Sequence, residues 1–229
     1  MAGPVEDEVN APYVFKPQPH SSHSILQRLL PSDGGGRRLL DLGCADGYLS
    51  RIFAARGFAV TAIDAPSSRV RSFPPEIRFL EADLDRGLPP LEGVFDYVIC
   101  ADLLEHLRDP DRLLAEIRAR LAPGGRLLAS LPNSGNIYFR LNVLAGRFPR
   151  DDRGLFDRTH IHFYMWKGWQ ELLHRNGFRV GRVEATVIPF SLAFPAAPAL
   201  GGALESTYSL AARAWKKLFA YQFVVVAEL

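Results

Sequence analysis

The stretch LLDLGCADGYLS, from Leu39 to Ser50, constrains the fold more than any other part of the sequence. An apolar run ends at Gly43, a second glycine follows at Gly47, and an apolar segment suited to a helix begins directly after it. Glycine adopts left-handed backbone conformations and lets a ligand approach the backbone closely. The pattern predicts a strand that turns sharply into a helix, whose N-terminal N–H groups face a nucleotide-like ligand.

Short apolar runs alternate with helical patterns along the chain. The runs RLLDLG, FAVTAID, IRFLEAD, FDYVICA and GRLLASLP are typical of strands buried on both faces, as in a parallel sheet covered by helices. The clearest helical pattern is DPDRLLAEIRARLAPGG. Asp109 is predicted to cap this helix, and Pro110 to lie in its first turn. Two final strands, FRVGRVEATVIP and YQFVVVAE, complete seven. The sequence predicts a doubly wound, Rossmann-like α/β fold with a mostly parallel seven-stranded sheet and helices on both faces.

Regions outside this alternation indicate the domain organisation. Residues 1–23 are rich in proline and charge and are predicted to form an arm or lid, followed by a single domain over 24–229. Two stretches lack a clean period, at about 133–166 and 190–220, and are predicted to be inserted lid segments that bind the substrate. A homodimer, formed through a predicted helix that carries Trp215 and Phe219, stays open.

Charge and cysteine content limit the functional class. The formal net charge is +2, and 27 basic and 25 acidic residues are spread along the chain, which gives no support for nucleic-acid binding. Cys44 and Cys100 are predicted to be reduced, half-buried thiols. The N-terminus has no signal pattern, and no apolar run approaches the roughly 20 residues of a membrane span. We therefore expect a cytoplasmic protein.

The glycine turn departs from the dinucleotide fingerprint G-x-G-x-x-G. Its middle glycine is replaced by Ala45 and its third by Tyr48, which argues against a nicotinamide-dependent oxidoreductase. Asp41 lies two positions before the first glycine, where a carboxylate would repel a pyrophosphate. It can instead accept a hydrogen bond from a ligand ammonium group, directly or through water. A ligand with an amino-acid end therefore fits better.

Acidic residues also close two further strands. Asp64 ends FAVTAID, where it can accept from both hydroxyls of a ribose. Asp83 ends IRFLEAD, where it can accept from an adenine amine while Leu84 covers the ring. An amino-acid end, a ribose and an adenine together describe S-adenosylmethionine, which is the predicted cofactor.

With these residues in place, the sequence resembles the class I S-adenosylmethionine-dependent methyltransferases from about Ser24 to Phe178. The segments FDYVICADLLEHLRDP, SLPN and GRFPRDDRGLFDRTHIHFY are similar to those of bacterial small-molecule methyltransferases, including O-methyltransferases of the ubiquinone type. The sequence departs from many members at Ala45, where they carry glycine. The predicted cofactor-binding residues are Asp41, Gly43, Cys44, Ala45, Gly47, Asp64, Ala65, Asp83, Leu84 and Ala101.

Histidines supply the candidates for proton removal, which a hydroxyl acceptor requires. Glu105 and His106 follow the fourth strand, and the resemblance implies that this pair lies near the sulfonium, although it could instead brace the next helix. In THIHF, His160 and His162 face the same way if the segment is extended. His160 is either a substrate-facing base or a buried structural histidine. No third metal ligand is close to the pair in sequence, so no metal is predicted.

The remaining candidates concern the methyl acceptor, which we expect to be a small molecule. Asn133 is predicted to hold a substrate oxygen or to begin a turn, and Arg147 to contact an anionic acceptor or to lie in a solvated loop. Tyr138 and His162 complete the predicted substrate-binding set. The predicted reaction is methyl transfer to a hydroxyl of a sugar or biosynthetic intermediate. N- or C-methylation, and a cofactor-binding regulatory or partner subunit without catalysis, stay open.

Overall fold

The structure, a computed structural model, describes residues 17–66, 73–188, 190 and 198–229. Its centre is one seven-stranded sheet in the order β3-β2-β1-β4-β5-β7-β6, in which β7 alone runs antiparallel to its neighbours. The predicted fold class is thereby confirmed. The strands are β1 Arg38–Leu42, β2 Ala59–Asp64, β3 Arg78–Glu81, β4 Phe95–Ala101, β5 Leu121–Pro132, β6 Arg179–Ala185 and β7 Gln222–Glu228.

Helices connect the strands and cover both faces of the sheet. They are α1 Ser22–Leu29, α2 Tyr48–Ala55, α3 Pro110–Arg120, α4 Ile137–Leu144, α5 Trp166–Arg175, α6 Pro198–Ala214 and α7 Lys216–Phe219, together with 3-10 turns at Leu84–Arg86 and Leu104–His106. Asp109 caps α3 as predicted, because its side chain accepts a hydrogen bond from the backbone N–H of Arg112 at 3.0 Å.

The central strand β4 shows why its sequence is an unbroken apolar run. Val98 and Cys100 pack in the core layer that contains Trp169, whereas Ile99 between them packs in the opposite layer with Phe53. Side chains alternate between the two faces of a strand, so a sheet covered on both faces requires apolar residues at every position. Both cysteines are free and buried, which is more burial than predicted.

The strand order identifies the edge of the sheet where a ligand is expected to bind, here called the ligand edge. The chain runs outward from β1 to β2 and β3, then returns to β4 on the other side of β1. Ligands of open α/β sheets bind at such a reversal, outside the carboxyl ends of the strands. Asp41 and Asp64 lie at the carboxyl ends of β1 and β2, and Asp83 and His106 follow β3 and β4, whereas His160 lies in the irregular connection between α4 and α5.

The predicted arm and insertions are described only in part. Residues 1–16 of the arm, and residues 189 and 191–197 near the second insertion, lie outside the described residues. The first insertion contains α4 and an irregular connection that leads to α5. The division into an arm and one domain stays a prediction. Within the described part of the chain, no helix combines the length and apolar character needed to cross a membrane.

Candidate active site

The turn between β1 and α2 is built from left-handed backbone conformations. Gly43 and Gly47 have φ angles of 70° and 73°. A Cβ on Gly43 would lie 3.1 Å from Cδ1 of Leu103, and one on Gly47 would lie 2.2 Å from the ring of Phe73. The left-handed conformation favours glycine at both positions, and a Cβ on Gly47 would also overlap the Phe73 ring.

Ala45 shares this conformation without being a glycine. Its φ is 47°, in a region where a Cβ crowds the neighbouring carbonyl oxygen. Because alanine stands at this position instead of glycine, the turn contains backbone strain at Ala45. Ala45 is held there by Asp64, whose Oδ2 accepts the Ala45 N–H at 2.6 Å.

Asp64 serves the turn as well as facing the ligand edge. Its other carboxylate oxygen, Oδ1, accepts the N–H of Ala65 at 2.7 Å. A carboxylate offers about four acceptor positions, so two remain for further donors. The contact with ribose hydroxyls is compatible with this geometry and stays a prediction.

Asp41 is enclosed beneath the turn. Its side chain is buried, and Oδ2 accepts a hydrogen bond of 2.5 Å from the hydroxyl of Ser50 in α2. Burial raises the pKa of the Asp41 carboxyl to about 6, although the Ser50 hydrogen bond lowers it. The observed contact ties β1 to α2, and the predicted contact with a ligand ammonium group is not tested by it.

The other predicted cofactor residues lie around this turn. Asp83 is exposed and caps the 3-10 turn after β3, accepting the N–H of Asp85 at 3.0 Å, while Leu84 beside it is buried. Cys44 is buried within the glycine turn, and burial raises the pKa of its thiol. Ala101 ends β4 and is partly buried.

Glu105 and His160 meet in a buried position at the end of β4. Both Glu105 carboxyl oxygens are buried and have no hydrogen-bond partner among the described residues. Oε1 lies 3.9 Å from Nε2 of His160, whose ring centre lies 4.8 Å from that of His106. Backbone hydrogen bonds from Ile161 and His162 to the Glu105 carbonyl hold the two segments together.

Burial shifts the pKa values of Glu105 and His160. Burial, with the nearby charge of Asp102, raises the pKa of Glu105 well above its usual value. Burial and the neighbouring His106 lower the pKa of His160 to about 4. His160 is therefore neutral at pH 7, and burial favours the protonated form of Glu105. A histidine with so low a pKa is a weak base, which weakens the case for His160 as the proton acceptor.

His106 is partly exposed and is oriented by a different chain of contacts. Its Nδ1 lies 3.2 Å from the carbonyl oxygen and 3.1 Å from the hydroxyl oxygen of Thr159. That hydroxyl donates to Oδ1 of the buried Asp157 at 2.5 Å. A carbonyl oxygen only accepts, so Nδ1 carries the proton in the neutral ring and Nε2 is left as the acceptor.

The predicted substrate-binding residues lie at different depths. Asn133 is buried, donates to the carbonyls of Lys217 and Ala220, and accepts the N–H of Gly135, which is the turn geometry left open by the sequence. Nε2 of His162 lies 2.9 Å from the carbonyl of Leu107. Tyr138 and Arg147 are exposed. The substrate-binding role of these four residues stays a prediction.

Comparison with known proteins decides the family. Residues 18–183 match the methyltransferase domain family. The chain belongs to this family. Together with the seven-stranded sheet, this membership confirms the resemblance to class I S-adenosylmethionine-dependent methyltransferases, whose cofactor is S-adenosylmethionine.

Individual relatives of this methyltransferase share parts of its sequence. It is 34% identical over 168 residues to a ubiquinone biosynthesis O-methyltransferase of Caulobacter vibrioides, covering 69% of this chain and 64% of the relative. It is 35% identical over 114 residues to one of Caulobacter sp. strain K31, covering 44% and 45%. The chain thus spans about half the length of the first curated relatives it matches.

Solved structures share the fold of the methyltransferase at lower identity. An S-adenosylmethionine-dependent methyltransferase from Mesorhizobium loti superposes with a TM-score of 0.63 at 21% identity, covering 90% of this chain and 97% of its own. The 1,6-didemethyltoxoflavin-N1-methyltransferase of Burkholderia thailandensis, with bound 1,6-didemethyltoxoflavin and S-adenosylhomocysteine, gives a TM-score of 0.58 at 18% identity, covering 90% of this chain and 76% of its own. At such identities the likeness shows the fold alone.

One residue of the methyltransferase's ligand edge was missed by the sequence reasoning. Asp102, directly after β4, has a left-handed φ of 53°. Its Oδ1 accepts from the hydroxyl of Ser130 and from Nε2 of Gln222, which links β4, β5 and β7. Its sequence signal is the one that identified Asp64 and Asp83, an aspartate where a buried strand ends.

The cluster of Glu105, His106 and His160 bears on the prediction that no metal is bound. One donor atom from each of Glu105, His106 and His160 lies within 4.8 Å of the others. The sequence offered no third ligand near His160 and His162, whereas the fold pairs His160 with residues more than 50 positions earlier. This set could hold a cation, so the absence of a metal stays a prediction.

Proposed function

We propose that this methyltransferase transfers the methyl group of S-adenosylmethionine to a hydroxyl of a small molecule, such as a sugar or biosynthetic intermediate, and that His106 removes the hydroxyl proton. The observation that carries the proposal is the contact of His106 Nδ1 with Thr159 at the ligand edge of the sheet. It fixes the tautomer whose Nε2 accepts a proton. Relatives named as ubiquinone biosynthesis O-methyltransferases support oxygen as the methylated atom.

In the proposed reaction, other residues bind the cofactor and orient His106. The glycine turn and Asp64 bind and orient the cofactor, so that its methyl group faces the acceptor. Orientation of two reactants is worth about 7 to 11 kcal/mol at most, and a positioned general base adds about 10²- to 10⁴-fold in rate. Asp157 orients His106 through Thr159, whereas the buried Glu105 and His160 lie beside it.

The test compares His106→Gln with His160→Gln. Each purified variant is given S-adenosylmethionine with an isotopically labelled methyl group and a panel of phenols, sugars and amines, and cofactor affinity is measured by calorimetry. We expect His106→Gln to lower kcat by about 10²-fold or more with cofactor affinity unchanged. His160→Gln should retain a larger share of kcat.

Other outcomes separate the alternatives. Equal turnover of wild type and His106→Gln on a hydroxyl acceptor would remove His106 as the base. Label found only on the nitrogen of amine acceptors or on carbon would favour N- or C-methylation. Cofactor binding without turnover on any acceptor, in the presence and absence of Mg²⁺, would favour the regulatory or partner subunit.

A further inference from the structure

A pocket beside the edge strand β6, here called the β6 pocket, has no part in the chemistry proposed above. It lies between α1, the residues that end β6, and α6, and its volume is about 300 Å³. Part of its wall is apolar, formed by Ile25, Ala185 and Val187. This volume is at the lower end of the range for small-molecule sites, about 300 to 1,000 Å³. The β6 pocket therefore suits a small molecule, or one group of a larger one.

Three cations line the β6 pocket. Arg28 comes from the last turn of α1, Arg213 from the last turn of α6, and Lys216 is the first residue of α7. All three residues are exposed, so a ligand can reach them from solvent. Within the described part of the chain, none of the three forms an ion pair with an acidic residue.

Most of the hydrogen-bond donors on these cations are not used within the protein. One guanidinium nitrogen of Arg28 donates to the carbonyl oxygen of Pro19 at 2.7 Å. Nζ of Lys216 donates to the carbonyl oxygen of Val183, also at 2.7 Å. The Arg213 guanidinium has no hydrogen-bond partner among the described residues. Because a guanidinium carries five N–H donors and an ammonium three, most of them remain for a ligand.

One acidic residue lines the β6 pocket, and a neighbouring cation compensates its charge. Oε1 of Glu184 accepts from Nε and Nη2 of Arg182, at 3.0 and 2.7 Å. Glu205, two turns before Arg213 on α6, is buried and lies outside the lining of the pocket. Three cations thus surround one cavity without a matching negative charge among the described residues, and like charges repel across it. An anion in the pocket would offset this repulsion.

We propose that the β6 pocket binds the phosphate group of a small molecule. Arg28 and Arg213 pair with phosphate oxygens through their planar N–H groups, and Lys216 adds a third positive charge. A phosphate monoester carries a charge of about −1.5 to −2 at pH 7, so it matches three cations better than a singly charged carboxylate. A nucleic acid or a bilayer is disfavoured as the occupant, because a cavity of this size takes one small group and not an extended row of phosphates. Binding at the β6 pocket does not rest on the proposed function.

Hydrogen bonds connect the β6 pocket to the ligand edge. Thr186, one residue after β6, donates its backbone N–H to the Gln222 carbonyl at 3.0 Å, and its hydroxyl oxygen accepts the Gln222 N–H at 2.9 Å. The Gln222 side chain in turn donates from Nε2 to Oδ1 of Asp102 at 2.8 Å, directly after β4. The phosphate therefore belongs either to the methyl acceptor itself or to a separate regulatory ligand. The chemistry in the pocket is the same for both sources, and only the first depends on the proposed function.

Calorimetric titration of the full chain tests phosphate binding without any need for turnover. The probes are inorganic phosphate, phenyl phosphate and, as the carboxylate counterpart, benzoate, at constant ionic strength and with the cofactor site filled by S-adenosylhomocysteine. The test variant is Arg28→Gln with Arg213→Gln, and Lys216→Gln is a second, milder one. The matched control is Arg78→Gln with Arg118→Gln, which removes two exposed arginines, one on β3 at the opposite edge of the sheet and one on α3.

We expect wild type and control to bind phenyl phosphate more tightly than benzoate, and the double test variant to lose at least tenfold in affinity for phenyl phosphate. Lys216→Gln should lose a smaller part, and it decides the result if melting curves show the double variant to be unfolded. Absence of binding of either phosphate compound by wild type would overturn the proposal, as would equal affinity of the test and control variants. Benzoate bound as tightly as phenyl phosphate would overturn the assignment to phosphate.

Methyl-transfer assays distinguish the two sources of the phosphate. If it belongs to the acceptor, the double test variant should raise KM for a hydroxyphenyl phosphate but not for phenol, with kcat little changed. If it belongs to a regulatory ligand, inorganic phosphate should change kcat on phenol in wild type but not in the double variant. Absence of turnover on every acceptor, with phosphate binding intact, would contradict the proposed function and leave the β6 pocket supported.

Discussion

The carboxylate of Asp64, at the end of β2, accepts the backbone N–H of Ala45 in the turn after β1, with 2.6 Å between Oδ2 and nitrogen. One aspartate thereby ties the end of a strand to the strained centre of the cofactor turn. Because we propose that Asp64 also binds the cofactor, the shape of the turn and the affinity for cofactor are expected to depend on the same group.

Asp64→Asn is expected to weaken cofactor binding by about tenfold or more, since hydrogen bonds to a charged group are worth about 1.5 to 3 kcal/mol. The amide keeps one acceptor oxygen but loses the charge and the second acceptor. Calorimetric titration with S-adenosylhomocysteine measures the change. Asp33→Asn is the control, because Asp33 accepts the N–H of Gly35 in a turn away from the site; equal affinity in the two variants would contradict the prediction.

Ala45→Gly is expected to raise the free energy of unfolding by up to about 1.6 kcal/mol. Relief of the left-handed conformation of an alanine is worth about 1 to 2 kcal/mol. Greater freedom of glycine in the unfolded chain offsets about 0.4 to 1 kcal/mol of this. Denaturant unfolding checks the sign. Destabilisation by the substitution would show that the turn carries no strain at Ala45.

Asp41→Asn is expected to change how stability depends on pH. The folded pKa of Asp41 is about 6, above the ordinary aspartate value of 3.8, so its contribution to stability is lost as pH rises through that window. At about 1.4 kcal/mol per pKa unit, the variant should gain up to about 3 kcal/mol relative to wild type between pH 4 and pH 7. Unfolding curves at several pH values measure the difference, and a pH-independent difference would refute it.

His160→Gln is expected to show the opposite trend. Burial lowers the folded pKa of His160 to about 4 from 6.5, so the wild type loses stability as pH falls from 6.5 towards 4. The variant lacks this loss and should gain up to about 3 kcal/mol relative to wild type over that range. Unfolding curves at several pH values, as for Asp41→Asn, also measure this difference in stability. A constant offset between the two proteins would mean that His160 titrates normally in the folded state.

The sequence by itself determined the sheet and the glycine turn after its first strand. Buried strands need apolar residues at every position, and Gly43 and Gly47 mark the left-handed turn, so both features are written in short local patterns. Asp64 and Asp83 could be placed for the same reason, as polar residues where such strands end. These features depend on neighbours within a few positions, which the sequence shows directly.

Only the tertiary structure decided which groups meet. His106 contacts Thr159 across 53 positions, and Asp102 meets Gln222 across 120. The burial that raises the pKa of Glu105 and lowers that of His160 arises from such packing, as does the enclosure of Asn133 by backbone groups. Burial and long-range pairing result from all the elements packing together, and no local spacing encodes them. The sequence therefore named the histidines, whereas the fold distinguished the oriented His106 from the buried His160.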